Sequence, residues 1–317
     1  MTENQSSIVN ENQDINQPEI DVQAVDDVNA QDQVMDAEDD NQQQEIPARP
    51  KNFPNIVDLL ALLGVFFASS MLAVLITSLM GITAQSNLGK QTFIIYVLSF
   101  GVTLLFALPY SYFRSNRTFN PLKFSLKGIN MATVLWGFVL ILALGVVLEP
   151  LTSTFDKQYI DQLSTIMGSG DWFMLSALVM APLFEEVLFR GVIQGALTNR
   201  YNAIIGILVS SLVFGLVHGN PVQMCNAFFV GLVLGYIYHR TGTLWAVIIL
   251  HFFNNIFSYF IWMLGGQTII TVRDIITNTH VYNVIYAFAG AVTLISFILL
   301  FRALSRKQQP QLDNKSL

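Results

Sequence analysis

Eight apolar runs, at 56–81, 92–113, 131–149, 172–197, 203–218, 222–238, 243–264 and 281–301, follow one another with polar breaks between them. A helix needs about 20 mostly apolar residues to cross a hydrocarbon core of about 30 Å, and most of these runs reach or approach that length. Within such a core each backbone N–H and C=O must find its partner inside the protein, which a helix provides from its own segment. The composition agrees: 53% of the 317 residues are hydrophobic and 12% charged, with a mean hydropathy of +0.50. The expected fold class is all-α, a polytopic membrane bundle of about eight transmembrane helices with a polar site buried near the bilayer midplane.

Charge divides the chain into unlike parts. Residues 1–50 carry thirteen Asp and Glu against one basic residue, Arg49, and contain no aromatic side chain. Such a segment cannot bury enough surface to offset its chain entropy, so it is read as a disordered acidic cytoplasmic tail. It lacks a basic start, and the first apolar run is too long for a signal-peptide core, so that run is expected to stay as a spanning helix. Residues 51–308 form the expected transmembrane domain, and 309–317 a short cytoplasmic tail. The single cysteine, Cys225, excludes an internal disulfide and is read as a packing residue.

Orientation follows from Lys and Arg. Arg49, Lys51, Arg114, Arg117, Lys123, Lys127, Arg200, Arg240, Arg302, Arg306, Lys307 and Lys315 fall on one side of the bundle, and only Lys90, Lys157 and Arg273 on the other. The positive-inside rule then places both ends in the cytoplasm, in a cell membrane. The polar stretch 150–171 is expected outside, where it can form an amphipathic surface helix.

Three ionisable residues interrupt this apolar pattern in the middle of one run. Glu185-Glu186-Val187-Leu188-Phe189-Arg190 sits in the middle of the fourth run. Charged groups there cost roughly 2.5–3.5 kcal/mol each on insertion scales, so they demand partners. His218, His251 and Asn255, also in apolar runs, can provide them. Counted from the cytoplasmic ends of their runs at 1.5 Å per residue, Glu185, His218, His251 and Asn255 lie about 12–22 Å deep, near one level.

Helical spacing separates their roles. Glu186 and Arg190, four apart, are placed to pair. Glu185 is rotated by about 100° and is free to act elsewhere, unless both glutamates only brace the arginine. His251 and Asn255 share one stripe, from which they can donate two hydrogen bonds to a developing oxyanion or form an interhelical clamp. Asn254 points elsewhere and is read as structural. His218, with Phe214 one turn earlier on its face, closes the fifth run. Paired with Glu185 it can hold a water between a carboxylate and an imidazole, which is a general-base arrangement.

Three stretches together resemble a known family. Ala181-Pro182-Leu183-Phe184-Glu185-Glu186 through Arg190-Gly191, Ser211-Leu212-Val213-Phe214-Gly215-Leu216-Val217-His218, and His251 with Asn255 are similar to the three motifs of the CPBP intramembrane proteases. That family is also called the CaaX-protease and bacteriocin-processing (Abi) family, and the likeness covers about 172–260. It implies an eight-helix membrane endopeptidase in which Glu185, with His218, activates water and His251 and Asn255 stabilise the oxyanion. Glu186, Arg190 and Phe214 would support that site. The family is often labelled metalloprotease, and Glu185, His218 and His251 are the zinc set to consider. The metal-free reading is preferred, because Asn255 on the face of His251 suits an oxyanion hole better than a ligand sphere.

The substrate expected from this resemblance is a peptide or membrane-anchored protein, with no nucleic-acid partner. The acidic Asn/Gln-rich tail and short loops look bacterial. There, the resemblance implies peptide or surface-protein processing, or bacteriocin self-immunity. Two other classes stay open: a noncatalytic membrane protein for immunity or anchoring, and a proton-coupled transporter, against which stands the lack of an internal repeat.

Overall fold

The structure, a computed structural model, describes residues 53–266 and 271–305. The segment 1–50, the tail 309–317 and the basic residues Arg49, Lys51, Arg306, Lys307 and Lys315 lie outside the described residues. Regular structure among the described residues is helical, without strands. In chain order the helices are α1 (Ile56–Leu79), α2 (Ala84–Arg114), α3 (Met131–Thr152), α4 (Lys157–Met167), α5 (Asp171–Arg200), α6 (Ala203–Leu216), α7 (Pro221–Thr241), α8 (Leu244–Leu264), α9 (Val272–Ile275) and α10 (Thr279–Ser305).

Seven of these, α1, α2, α3, α5, α7, α8 and α10, are long and apolar enough to cross a membrane. This is a multi-pass integral membrane protein. The fifth apolar run departs from its expected length: α6 has 14 residues, about 21 Å, and stops at Leu216. Gly219, with φ of +71°, turns the chain, and the Asn220 side chain then caps α7 by accepting from the N–H groups of Val222 and Gln223. His218 therefore stands in a turn beyond the helix end.

Polar contacts fix the helices where hydrocarbon surroundings give no hydrophobic drive between them. Asp58 closes a capping box with Asn55 at the start of α1. The same carboxylate accepts from Tyr110 Oη at 2.6 Å and from Arg114 Nε at 3.0 Å at the far end of α2. Deeper along this pair, Ser69 Oγ donates to the Ser99 carbonyl at 3.1 Å. On the other flank α3 packs along α10. Near the end of α3, the buried Glu149 accepts the N–H of Val272 at 2.8 Å and of Arg273 at 3.0 Å, holding the start of α9.

Between these flanks runs α5, in contact with α2, α6, α7 and α8. Every residue from Glu186 to Gln194 is buried. Side chains exposed on the outer helices are largely apolar, among them Met71 and Leu75 on α1 and Phe288 and Leu294 on α10. That is the distribution a bundle in lipid requires.

Candidate active site

The local conformation of α5 sets the site. It alternates between π-helix at Leu175–Met180 and Glu186–Gln194 and α-helix at Ala181–Glu185 and Gly195–Arg200. Pro182 has no N–H to give. In an i→i+5 pattern that missing donor would have bonded the carbonyl of Ala177. Asn255 of α8 takes its place, donating Nδ2–H to the Ala177 oxygen at 2.8 Å. The proline thus opens a backbone acceptor within the bundle, and the neighbouring helix satisfies it.

The two adjacent carboxylates of this stretch converge on His251 through its two different ring nitrogens. Sequence spacing on a regular helix separates the two carboxylates by about 100°, yet both reach one imidazole. His251 Nδ1 is 2.7 Å from Glu186 Oε1, and His251 Nε2 is 3.7 Å from Glu185 Oε2. The first is a hydrogen bond. The second is too long for a hydrogen bond and lies within ion-pair range.

Arg190 completes the buried charge set. Its Nη1 lies 3.1 Å from Glu186 Oε1, close enough for charge pairing though not aligned as a hydrogen bond. Nη2 reaches the Gly231 carbonyl of α7 at 3.5 Å. The guanidinium lies 4.4 Å from the centroid of the Phe214 ring, a cation–π contact that is strongest when desolvated. Glu186 and Arg190 are 0% and 1% exposed, so the pair depends on mutual neutralisation rather than on water.

Phe214 is the hub between the histidines. Its ring meets His251 edge-on at 5.9 Å and His218 at 5.0 Å. His218 Nδ1 is 2.7 Å from the Phe214 carbonyl, which fixes the proton on Nδ1 and leaves Nε2 as the basic nitrogen. No hydrogen bond or ion pair joins His218 to Glu185 among the described residues; the ring of Phe214 links the two histidines. Asn254 Nδ2 donates to Asn255 Oδ1 at 3.2 Å, so this residue orients its neighbour.

One participant lies outside the sequence motifs. Tyr96 of α2 donates its phenolic O–H to Glu185 Oε1 at 2.8 Å. The available signal was weak: a phenol within an apolar run needs a hydrogen-bond partner, but the sequence does not say which. For the zinc set, His251 Nδ1 is taken by Glu186, and among the described residues no three His, Cys, Asp or Glu side chains come together to hold a metal ion.

Comparison with known proteins bears on the same stretch. Residues 169–257 match the family model described as type II CAAX prenyl endopeptidase Rce1-like. The chain is similar to that family over this segment. The segment contains Glu185, Glu186, Arg190, Phe214, His218, His251 and Asn255, and excludes Tyr96. The chain is 33% identical over 79 residues to the "putative membrane peptidase YdiL" of Bacillus subtilis (strain 168), covering 25% of this chain and 32% of that protein. It is 34% identical over 129 residues to an uncharacterized 24.3 kDa protein of Escherichia coli, covering 38% and 56%. The matches thus span about a third and about half of these relatives. No solved structure matches the chain.

Proposed function

We propose that the protein is an intramembrane endopeptidase that hydrolyses a peptide bond with water activated by Glu185. The observation that carries this reading is the buried Oε2 of Glu185, which stands 3.7 Å from His251 Nε2 within the charge cluster. Oε2 accepts no hydrogen bond from any described residue, so it is the oxygen with capacity for a water proton.

In this reading, Glu185 Oε2 takes a proton from water as the water oxygen bonds to the scissile carbonyl carbon. His218, with Nδ1 on a backbone carbonyl, supports the same water through Nε2. The carbonyl oxygen gains negative charge in the tetrahedral intermediate. His251, when protonated on both nitrogens, donates Nδ1–H to Glu186 and Nε2–H to that oxygen. The Asn255 amide has two N–H groups, of which Ala177 uses one, so the other can assist. Collapse breaks the C–N bond, and Glu185 returns its proton to the leaving amine. Glu186, Arg190 and Phe214 hold the imidazoles in register. Because no three His, Cys, Asp or Glu side chains come together among the described residues, no step is assigned to zinc.

The substrate class is a peptide or membrane-anchored protein reaching the site from the lipid or the cytoplasmic side. The lysine and arginine asymmetry supports a cell-membrane orientation with both ends of the helical domain cytoplasmic. The Bacillus and Escherichia relatives favour a bacterial setting, in which peptide or surface-protein processing or bacteriocin self-immunity is the role we infer.

The test is cleavage of fluorogenic prenylated and unprenylated peptides by purified protein in lipid, with Glu185→Gln and His218→Ala for comparison. Cleavage by the wild type that both variants lose, at normal folded yield, supports the peptidase. Absence of cleavage, with both variants still supporting the cellular phenotype, would replace it with a noncatalytic membrane role.

A further inference from the structure

We infer that Tyr96, on a helix outside the Rce1-like segment, is a positioning residue of the site: its phenol occupies one oxygen of Glu185 and leaves the other for water. The inference rests on the peptidase reading above. Its basis is an asymmetry between the two carboxylate oxygens. Oε1 accepts the Tyr96 hydroxyl at 2.8 Å, whereas Oε2 accepts nothing from the described residues and faces His251 Nε2 at 3.7 Å. A carboxylate can rotate about its last torsion and exchange its oxygens. A short hydrogen bond to a charged acceptor holds it in one setting.

The phenol is itself held. Tyr96 stacks on Phe100 with centroids 4.6 Å apart and planes 28° from parallel. Phe100 in turn meets Phe66 of α1 at 5.0 Å and Phe189 of α5 at 6.4 Å. The ring is therefore anchored to two helices before its oxygen reaches the carboxylate. Tyrosine suits this use because two torsions position a large rigid lever with a polar tip. The consequence for the fold is that residues 169–257 do not contain the whole site. The α1–α2 pair supplies a wall and a donor.

The experiment compares wild type, Tyr96→Phe, Tyr110→Phe and Glu185→Gln in the peptide-cleavage assay, with kcat and KM separated. Tyr110 is the internal control. It lies on the same helix and also donates to a buried carboxylate, that of Asp58, away from the site. Tyr96→Phe keeps the ring stack and is expected to lower kcat by about tenfold to a hundredfold, the range for losing one hydrogen bond to a charged group. KM should stay within about twofold, because the phenol touches Glu185 and not the substrate. Tyr110→Phe should leave both constants near wild type.

Wild-type kcat in Tyr96→Phe, a change confined to KM, or an equal loss of kcat in Tyr110→Phe would overturn the inference while leaving Glu185 as the base. A wild type that cleaves nothing, or Glu185→Gln that cleaves normally, would overturn the peptidase reading and this inference with it.

Discussion

Glu186 holds His251 by a 2.7 Å contact between Oε1 and Nδ1, across 65 residues of sequence and between two helices. The same oxygen lies 3.1 Å from Arg190 Nη1. One buried carboxylate therefore serves two cationic or potentially cationic partners. Glu186 thus sets both the stability of the buried cluster and the orientation of the imidazole.

Glu186→Gln should destabilise the fold by about 3–5 kcal/mol, because it leaves the Arg190 guanidinium buried without its counter-charge. Thermal or denaturant unfolding of the protein in lipid measures this. Glu186→Gln combined with Arg190→Met should recover much of the loss, since the buried guanidinium is then removed together with its nearest counter-charge. Additive losses in the double variant would show that the pair is not the energetic unit.

Much of this site is visible in the chain itself, and the parts that are not have identifiable causes. The four-residue spacing of Glu186 and Arg190 anticipates their ion pair, and the length of the apolar runs anticipates the long helices. The meeting of Glu185 and Glu186 at one imidazole was hidden, because it depends on how α8 packs against α5 and presents both ring nitrogens of His251. Regular helical arithmetic sends the two side chains apart. Asn255 reads from spacing as a partner of His251, while its bond to Ala177 depends on the N–H that Pro182 lacks. Tyr96 carries no motif, because its role comes from long-range packing of α2 against α5. The short α6 looked longer because Val217 and His218 continue its apolar run beyond the point where the chain turns.

Peptide cleavage should withstand a zinc chelator. His251 uses Nδ1 on Glu186, and His218 uses Nδ1 on the Phe214 carbonyl. Their remaining nitrogens do not form a three-ligand group with Glu185 among the described residues. Wild-type rates before and after prolonged chelation, with metal content measured on the same samples, check this. Loss of activity that added zinc restores would move Glu185 and the histidines to ligand roles.

Gly215→Ala should destabilise the bundle by about 1–3 kcal/mol through overpacking. A methyl group at this position would lie 2.8 Å from the Met224 carbonyl and 3.3 Å from Phe228 Cβ, so α6 and α7 would have to separate. Gly215 adjoins Phe214, whose ring contacts Arg190 and both histidines. The unfolding midpoint should fall, and any cleavage rate with it. An unchanged midpoint would mean that the close approach of the two helices relaxes without cost.

Glu149→Ala should loosen α9 more than the bundle as a whole. The two oxygens of Glu149 accept the N–H groups of Val272 and Arg273 separately, and each is a hydrogen bond to a carboxylate of about 1.5–3 kcal/mol. Truncation removes both acceptors, while the packing of α3 along α10 remains. Hydrogen exchange at these two amides should therefore quicken by at least about tenfold. Glu149→Gln, which keeps one carbonyl acceptor, should give an intermediate rate. Exchange that stays slow at both amides in Glu149→Ala would mean that Arg273 holds this segment unaided, through its contacts with Thr279 and the Tyr282 ring.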